Sequence, residues 1–167
     1  MRSAGVAVKI ATLASQLLGA AGKRRWRIGT AESVTGGMVG AAVTSVPGAS
    51  AWYVGGFIVY TNTAKADMLG ISERLLATHG AVSAEAARAM ADGCRKRLGV
   101  QIVVVTTGIA GPASDESGTP VGTVFVACAT DDDSTTEQLM LHGSRAHIRV
   151  QATRAALALA VRMVQGG

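Results

Sequence analysis

At 167 residues, with 49% hydrophobic but only 4% aromatic content, the chain has the size of one domain whose core packs through small side chains. The formal net charge of +5 invites anionic partners, while the absence of any apolar run near the roughly 18–20 residues of a membrane span excludes a spanning helix. Its 21 glycines fall at segment ends rather than in repeats, and no Pro/Ser-rich linker divides the chain, so one domain over 1–167 is expected.

In chain order, helical spacing predicts an opening helix over 6–18. Lys9 interrupts its apolar run, unlike a signal peptide, and the expected compartment is the cytoplasm. A short strand over 27–32 ends at Ser33, and a helix over 37–46 stops at Pro47-Gly48. A second strand follows over 53–60, where Gly55-Gly56 marks a bulge or a close backbone approach. Lys65 then falls in a short helix, Gly70 in a turn, and 72–78 in another helix.

The clearest amphipathic helix spans 83–98, with Ser83 as N-cap, Glu85 suiting the dipole, and Ala87, Met90, Ala91, Cys94 and Leu98 on one face. Residues 102–105 form a β-branched run, as in a strand covered on both faces. After a loop over 111–120, strands over 121–129 and 137–141 are joined by Asp131-Asp132-Asp133-Ser134. A last helix over 146–164 buries Ile148, Ala152, Ala155, Ala156, Leu159 and Met163. This order predicts an α/β fold, a three-layer α/β/α sandwich with a mixed, mostly parallel sheet that includes a late antiparallel pair.

Thr30-Ala31-Glu32-Ser33-Val34-Thr35-Gly36-Gly37 places a serine between a strand and a helix start, where free N–H groups serve a nucleophile or an anion. No Walker A, Gly-x-Gly-x-x-Gly or His-Glu-x-x-His occurs, and Ala31 and Thr35 stand where a nucleophile elbow wants glycines. Serine chemistry would therefore need a distant base. Among Lys9, Lys23, Lys65 and Lys96, only Lys65 follows a strand that could lie beside the one delivering Ser33. An ordinary lysine is only about 0.1% neutral near pH 7.4, so the base requires burial.

Each feature has a plainer reading: a turn or N-cap serine, a surface lysine, a simple strand-to-loop turn at Thr107-Gly108-Ile109-Ala110-Gly111-Pro112. Arg145 and Arg149 share a helix face, either as a phosphate clamp or as solvent-facing arginines. The basic clusters Lys23-Arg24-Arg25-Trp26-Arg27 and Arg95-Lys96-Arg97 read as solvated turns, so nucleic acid is not required. Cys94 and Cys128 lie far apart, and with His79, His142 and His147 scattered, neither a disulfide scaffold nor a zinc site is supported.

Taken as an ordered set, these segments resemble the C-terminal domain of the CinA family, the nicotinamide-mononucleotide amidohydrolases. The matching stretches are the Ser33 segment, Pro47-Gly48-Ala49-Ser50, Tyr60-x-Asn62-x-Ala64-Lys65 and Gly80-Ala81-Val82-Ser83. They continue with 107–112, Pro120-Val121-Gly122-Thr123-Val124 and Arg145-x-x-x-Arg149. Three departures stand out: Val34 for the usual cysteine, Ser144 for an aspartate, and a 113–119 loop without the usual Asp-Gly-Gly start.

The resemblance implies hydrolysis of the carboxamide of nicotinamide mononucleotide to nicotinic acid mononucleotide and ammonia, in pyridine-nucleotide recycling. Ser33 would be the nucleophile, Lys65 its base, and Tyr60 an orienting or stacking group. Glu32, Thr35, Gly36, Gly37, Thr107 and Gly108 would line the substrate site, with N–H groups near Gly36, Gly37 or Gly108 holding the oxyanion. Arg145 or Arg149 would take the 5′-phosphate. The resemblance implies no metal or cofactor, a small-molecule substrate without membrane or nucleic acid, and a homodimer. Larger family members add an N-terminal nucleotide-processing domain, so it speaks only for the amidohydrolase half. The alternatives are a catalytically silent nucleotide or sugar-phosphate binding module and, more remotely, a salt-sensitive nucleic-acid binder.

Overall fold

The computed structural model describes residues 2–166, with side chains from residue 9 onward. The elements run α1 (Arg2–Arg24), β1 (Ile28–Glu32), α2 (Met38–Thr44), a 3-10 turn, β2 (Tyr53–Ile58), α3 (Asn62–Leu69), α4 (Glu73–His79) and α5 (Ala84–Leu98). They continue with β3 (Ile102–Gly108), β4 (Thr123–Ala129), β5 (Ser134–Met140) and α6 (Arg145–Gly166). Element types and order agree with the sequence expectation; the differences lie at the ends.

The opening helix is longer than the predicted 6–18, because Gly19 and Gly22 do not stop it. A Cβ at Gly22 would stand 3.0 Å from the Trp52 indole nitrogen, so the glycine admits a packing partner. β5 starts earlier than the predicted 137, because Ser134 and Thr135 pair with Ala129 and Cys128 along the sheet edge.

Cap chemistry punctuates the middle of the chain. The hydroxyls of Thr61, Ser72 and Ser83 each accept a backbone N–H at 3.1 Å from the third residue on, opening α3, α4 and α5. Left-handed Gly70 and Gly99 close α3 and α5.

The strand order is β2-β1-β3-β4-β5. β1 pairs in parallel with β2 and β3, and β4 pairs antiparallel with β3 and β5. Four strands thus run one way and β4 the other.

Alternation along β3 divides the core. Ile102 and Val104 pack with Leu17, Val39, Ile148 and Leu157 on the α1/α2/α6 face. Val103 and Val105 pack with Leu69, Leu76, Met90 and Cys94 on the α3/α4/α5 face. The thiols of Cys94 and Cys128 are buried in different faces, and burial pushes both up to about 12. On the second face a Cβ at Gly93 would overlap the Leu69 carbonyl, so α3 lies backbone to backbone on α5. That contact sets the depth of the helix carrying Lys65.

The chain leaves β1 through α2 to reach β2 on one side, then crosses back through α3, α4 and α5 to β3 on the other. The carboxyl ends of β1 and β3 therefore form a topological switch point, where open α/β sheets leave a crevice for ligands.

Candidate active site

Three segments meet at that crevice: the turn after β1, the β2–α3 connection and the end of β3. Ser33 begins the first, its N–H donating to the Thr106 carbonyl at 2.9 Å so that strand pairing reaches the turn. Val59 prolongs β2 likewise, donating to the Glu32 carbonyl at 2.8 Å. Lys65, one turn into α3, sends its side chain under this junction. Its Nζ lies 3.2 Å from Ser33 Oγ and 3.0 Å from the Val59 carbonyl.

Lys65 is 2% exposed and Ser33 7%, so the pair is nearly dry. No carboxylate pairs with Lys65 among the described ion pairs. Burial pushes its amine down to about 8. At pH 7 about a tenth of such a group is the free base, a hundredfold or more above an ordinary lysine. The surface-lysine reading is thereby set aside, while Ser33 does open a turn, its carbonyl accepting from the Gly36 N–H at 3.1 Å.

Ser33 and Lys65 open into a cavity of about 480 Å³, within the range of small-molecule sites. Tyr60, Thr107, Gly108 and Arg145 line it, as do Asn62, Asp115 and Glu116, which residue chemistry alone did not assign to the site. Depressions of similar size lie between α3, α4 and α5, and between α1 and α6, but neither holds a buried serine–lysine contact.

Arg145 donates to the Gly111 carbonyl at 2.6 Å and to the Tyr60 hydroxyl at 2.8 Å, fixing its guanidinium at the mouth. The Thr107 hydroxyl instead ties β3 to the Ala81 carbonyl at 2.7 Å.

Five expected substrate contacts do not line this cavity. Glu32 is 1% exposed, and its carboxyl accepts from the Thr35 hydroxyl at 2.6 Å, from Gly37 and Val39 N–H at 3.0 Å, and from Gly40 N–H at 2.8 Å. It occupies the start of α2 that the sequence offers to an anion. Thr35 is fully buried between Glu32 and the Thr106 hydroxyl.

The Gly36 N–H donates to the Ser33 carbonyl and the Gly37 N–H to Glu32, so neither is free for an oxyanion. Left-handed φ values of 59° and 99° at these residues explain the glycines instead. Among the described residues the Val34 N–H, next after the serine, meets no protein acceptor.

Arg149 does not share the cavity lining with Arg145. Its Nε donates to the Val34 carbonyl at 3.1 Å and its Nη2 to the Thr35 carbonyl at 2.8 Å, gripping the serine turn from behind.

The basic clusters are likewise engaged. The Arg24 guanidinium lies 4.8 Å from the Trp26 ring centre, Arg27 donates to the Gly99 carbonyl at 2.7 Å, and Arg95 pairs with Asp131. Among the described residues no helix is long and apolar enough to cross a membrane, and no group of three His, Cys, Asp or Glu could hold a metal.

Fold and site together define a class: a three-layer α/β domain with a buried serine–lysine pair at its switch point. The chain belongs to the CinA family, matching the CinA C-terminal domain over residues 10–164. It is 44% identical over 142 residues to a CinA-like protein of Syntrophobacter fumaroxidans, covering 85% of this chain and 34% of that one. A putative competence-damage inducible protein of Symbiobacterium thermophilum is 42% identical over 153 residues, covering 86% and 36%. The chain thus spans about a third of the curated relatives it matches.

Among solved structures, competence damage-inducible protein A of Klebsiella pneumoniae superposes with a TM-score of 0.91 at 31% identity, covering 93% of this chain and 97% of that one. The competence/damage inducible protein of Agrobacterium tumefaciens gives 0.89 at 35% identity, covering 93% and 95%.

Proposed function

We propose that this domain hydrolyses the carboxamide of nicotinamide mononucleotide to nicotinic acid mononucleotide and ammonia. The single observation carrying the reading is the buried Lys65–Ser33 contact of 3.2 Å with an amine whose proton affinity is lowered. The neutral amine takes the Ser33 proton as Oγ attacks the carboxamide carbon, and the oxyanion forms against the Val34 N–H. The resulting ammonium returns its proton to the leaving nitrogen, and ammonia departs from an acyl-serine. Water, deprotonated by the same amine, then attacks the acyl carbon, and the ammonium returns the proton to Ser33 Oγ as the C–Oγ bond breaks and the acid leaves. Arg145 is the phosphate candidate, since it faces the cavity and uses only part of its donor set on Gly111 and Tyr60.

The test is ammonia release measured with nicotinamide mononucleotide, nicotinamide riboside and free nicotinamide. Turnover greatest with the mononucleotide is expected; no ammonia from any of the three rejects the reading.

A second expectation concerns Arg149, which holds the consecutive carbonyls of Val34 and Thr35. Arg149→Met releases the turn, and a displacement near 1 Å at a reacting atom lowers rates about 100-fold. We expect kcat to fall about 10- to 100-fold with KM changed much less. Arg149→Lys, which lacks the fork, recovers only part of the loss. An unchanged kcat in Arg149→Met removes this role.

A further inference from the structure

Spacing along the chain splits the basic residues into two separate turns, and the fold joins them. β1 and β3 run parallel, so their first residues, Ile28 and Ile102, stand at one edge of the sheet, opposite the crevice of Ser33 and Lys65. There the Arg27 N–H donates to the Gln101 side-chain oxygen at 2.9 Å and its guanidinium to the Gly99 carbonyl at 2.7 Å. The Arg27 carbonyl accepts from the Ile102 N–H at 3.2 Å. The segments that follow α1 and α5 are thereby tied together.

Lys23, Arg24, Arg25, Arg27, Lys96 and Arg97 are all exposed on these segments. Arg24 lies over the Trp26 ring, and Arg27 spends part of its fork on Gly99. The side chains of Lys23, Arg25, Lys96 and Arg97 form no ion pair among the described residues and no hydrogen bond. Asp131 pairs with Arg95 instead. Four unpaired cations on one pole give a local positive field that anions in solution meet first.

The backbone adds a second observation. Glycine in the left-handed conformation closes α3 at Gly70 and α5 at Gly99. After α1 the same conformation, φ 57°, falls on Arg25, and among the described residues no other non-glycine residue has a positive φ. The Trp26 N–H donates to the Ala21 carbonyl at 2.9 Å and the Arg25 N–H to the Gly22 carbonyl at 3.1 Å, completing the cap. A long cationic side chain therefore stands where backbone energy favours glycine.

The chemistry of the edge selects among anionic partners. The exposed large apolar residues Val54, Ile58, Tyr60, Met68 and Met140 all lie outside 23–27 and 95–101. A protein partner needs an apolar centre to its interface. A phosphodiester backbone needs only cations to replace its counterions.

We infer that the edge formed by 23–27 and 95–97 binds the sugar–phosphate backbone of nucleic acid without reading its sequence. This surface lies at the opposite end of the sheet from Ser33 and Lys65, so it stands or falls independently of the amidohydrolase reading.

The test is fluorescence anisotropy with labelled duplex and single-stranded DNA of about 20 nucleotides per strand and mixed sequence. Three to four phosphate contacts predict a loss of about 40- to 150-fold in duplex affinity between about 50 and 200 mM salt. Arg25→Gln with Lys96→Gln and Arg97→Gln should weaken binding at least about tenfold and flatten the salt dependence, with ammonia release unchanged. Arg25→Gly alone should weaken binding about threefold or more while melting no lower than the unaltered protein, since glycine suits the cap. A purely structural Arg25 would leave DNA affinity where it was.

The single-stranded arm shows which form of the backbone is preferred, and binding of either supports the inference. Binding of neither at about 50 mM salt, affinity indifferent to salt, or full affinity in both variants overturns it. So does polyglutamate bound more tightly than both DNA probes, which would make the partner an acidic protein.

Discussion

Ser33→Ala and Lys65→Met are each expected to lower ammonia release at least about 1,000-fold, and the double variant to be no slower than the worse single one. Two groups that perform one proton transfer fail together, so their losses do not add. In the unaltered protein, kcat/KM should climb with pH and level off above about 8, where the Lys65 amine has lost its proton.

The stability arm of this prediction has the opposite sign. Folded Lys65 titrates at about 8, against 10.5 for the free side chain. Between those values the unfolded chain binds more protons, so stability rises with pH through that window. Below about pH 8 both states are protonated and the whole penalty is present, on the order of 3 kcal/mol.

Lys65→Met removes the penalty but strands the Val59 carbonyl, which costs about 1 kcal/mol. The inactive variant should therefore be more stable by about 1–2 kcal/mol at pH 7 and lose that advantage above pH 10. Denaturant melts at the two pH values measure this. A Lys65→Met protein less stable at pH 7 would mean that the ammonium is well solvated, and with it the case for a lysine base disappears.

Much of this architecture is written locally. Three hydroxyl caps, at Thr61, Ser72 and Ser83, and the glycines at 70 and 99 delimit α3, α4 and α5 by chemistry spanning a few residues. The Ser33 and Lys65 positions were visible for the same reason, since each follows a strand end. What joins them is not local. β3 lies beside β1 with Thr30 opposite Val104, although β2 and the four helices α2, α3, α4 and α5 intervene in the chain.

Long-range geometry also decided the arginines. Spacing of one helical turn places Arg145 and Arg149 on one face, but their forks diverge, one to Tyr60 and Gly111 and the other to the serine turn. Asp115 and Glu116 escaped notice because a polar loop carries no periodicity that would aim it at a cavity.

Glu32 is the residue whose role changed most, and its replacement should damage the fold most. The carboxyl is 1% exposed and has no cationic partner among the described ion pairs. Three backbone N–H groups at the start of α2 and the Thr35 hydroxyl satisfy it instead. A buried acceptor of this kind is held by oriented peptide dipoles and charge-assisted hydrogen bonds, not by a salt bridge.

Glu32→Ala leaves those donors without an acceptor and opens a cavity, so a loss of about 3–5 kcal/mol is expected. Glu32→Gln is the more searching variant. It keeps the volume, but whichever carboxyl oxygen becomes NH2 then faces at least one backbone N–H, which can only donate, so the variant should still lose about 2–4 kcal/mol. For a domain of this size that is a fall of about 4–16 °C in Tm.

The serine turn would suffer with the fold, because Thr35 and Gly37 are anchored to the same carboxyl, so residual folded Glu32→Gln protein should also turn over more slowly. If Glu32→Gln melts within 2 °C of the unaltered protein, volume rather than acceptor capacity holds this junction together. The carboxyl would then be free for some other duty. If Gln is nearly as damaging as Ala, the carboxylate of the residue before Ser33 is what shapes the turn.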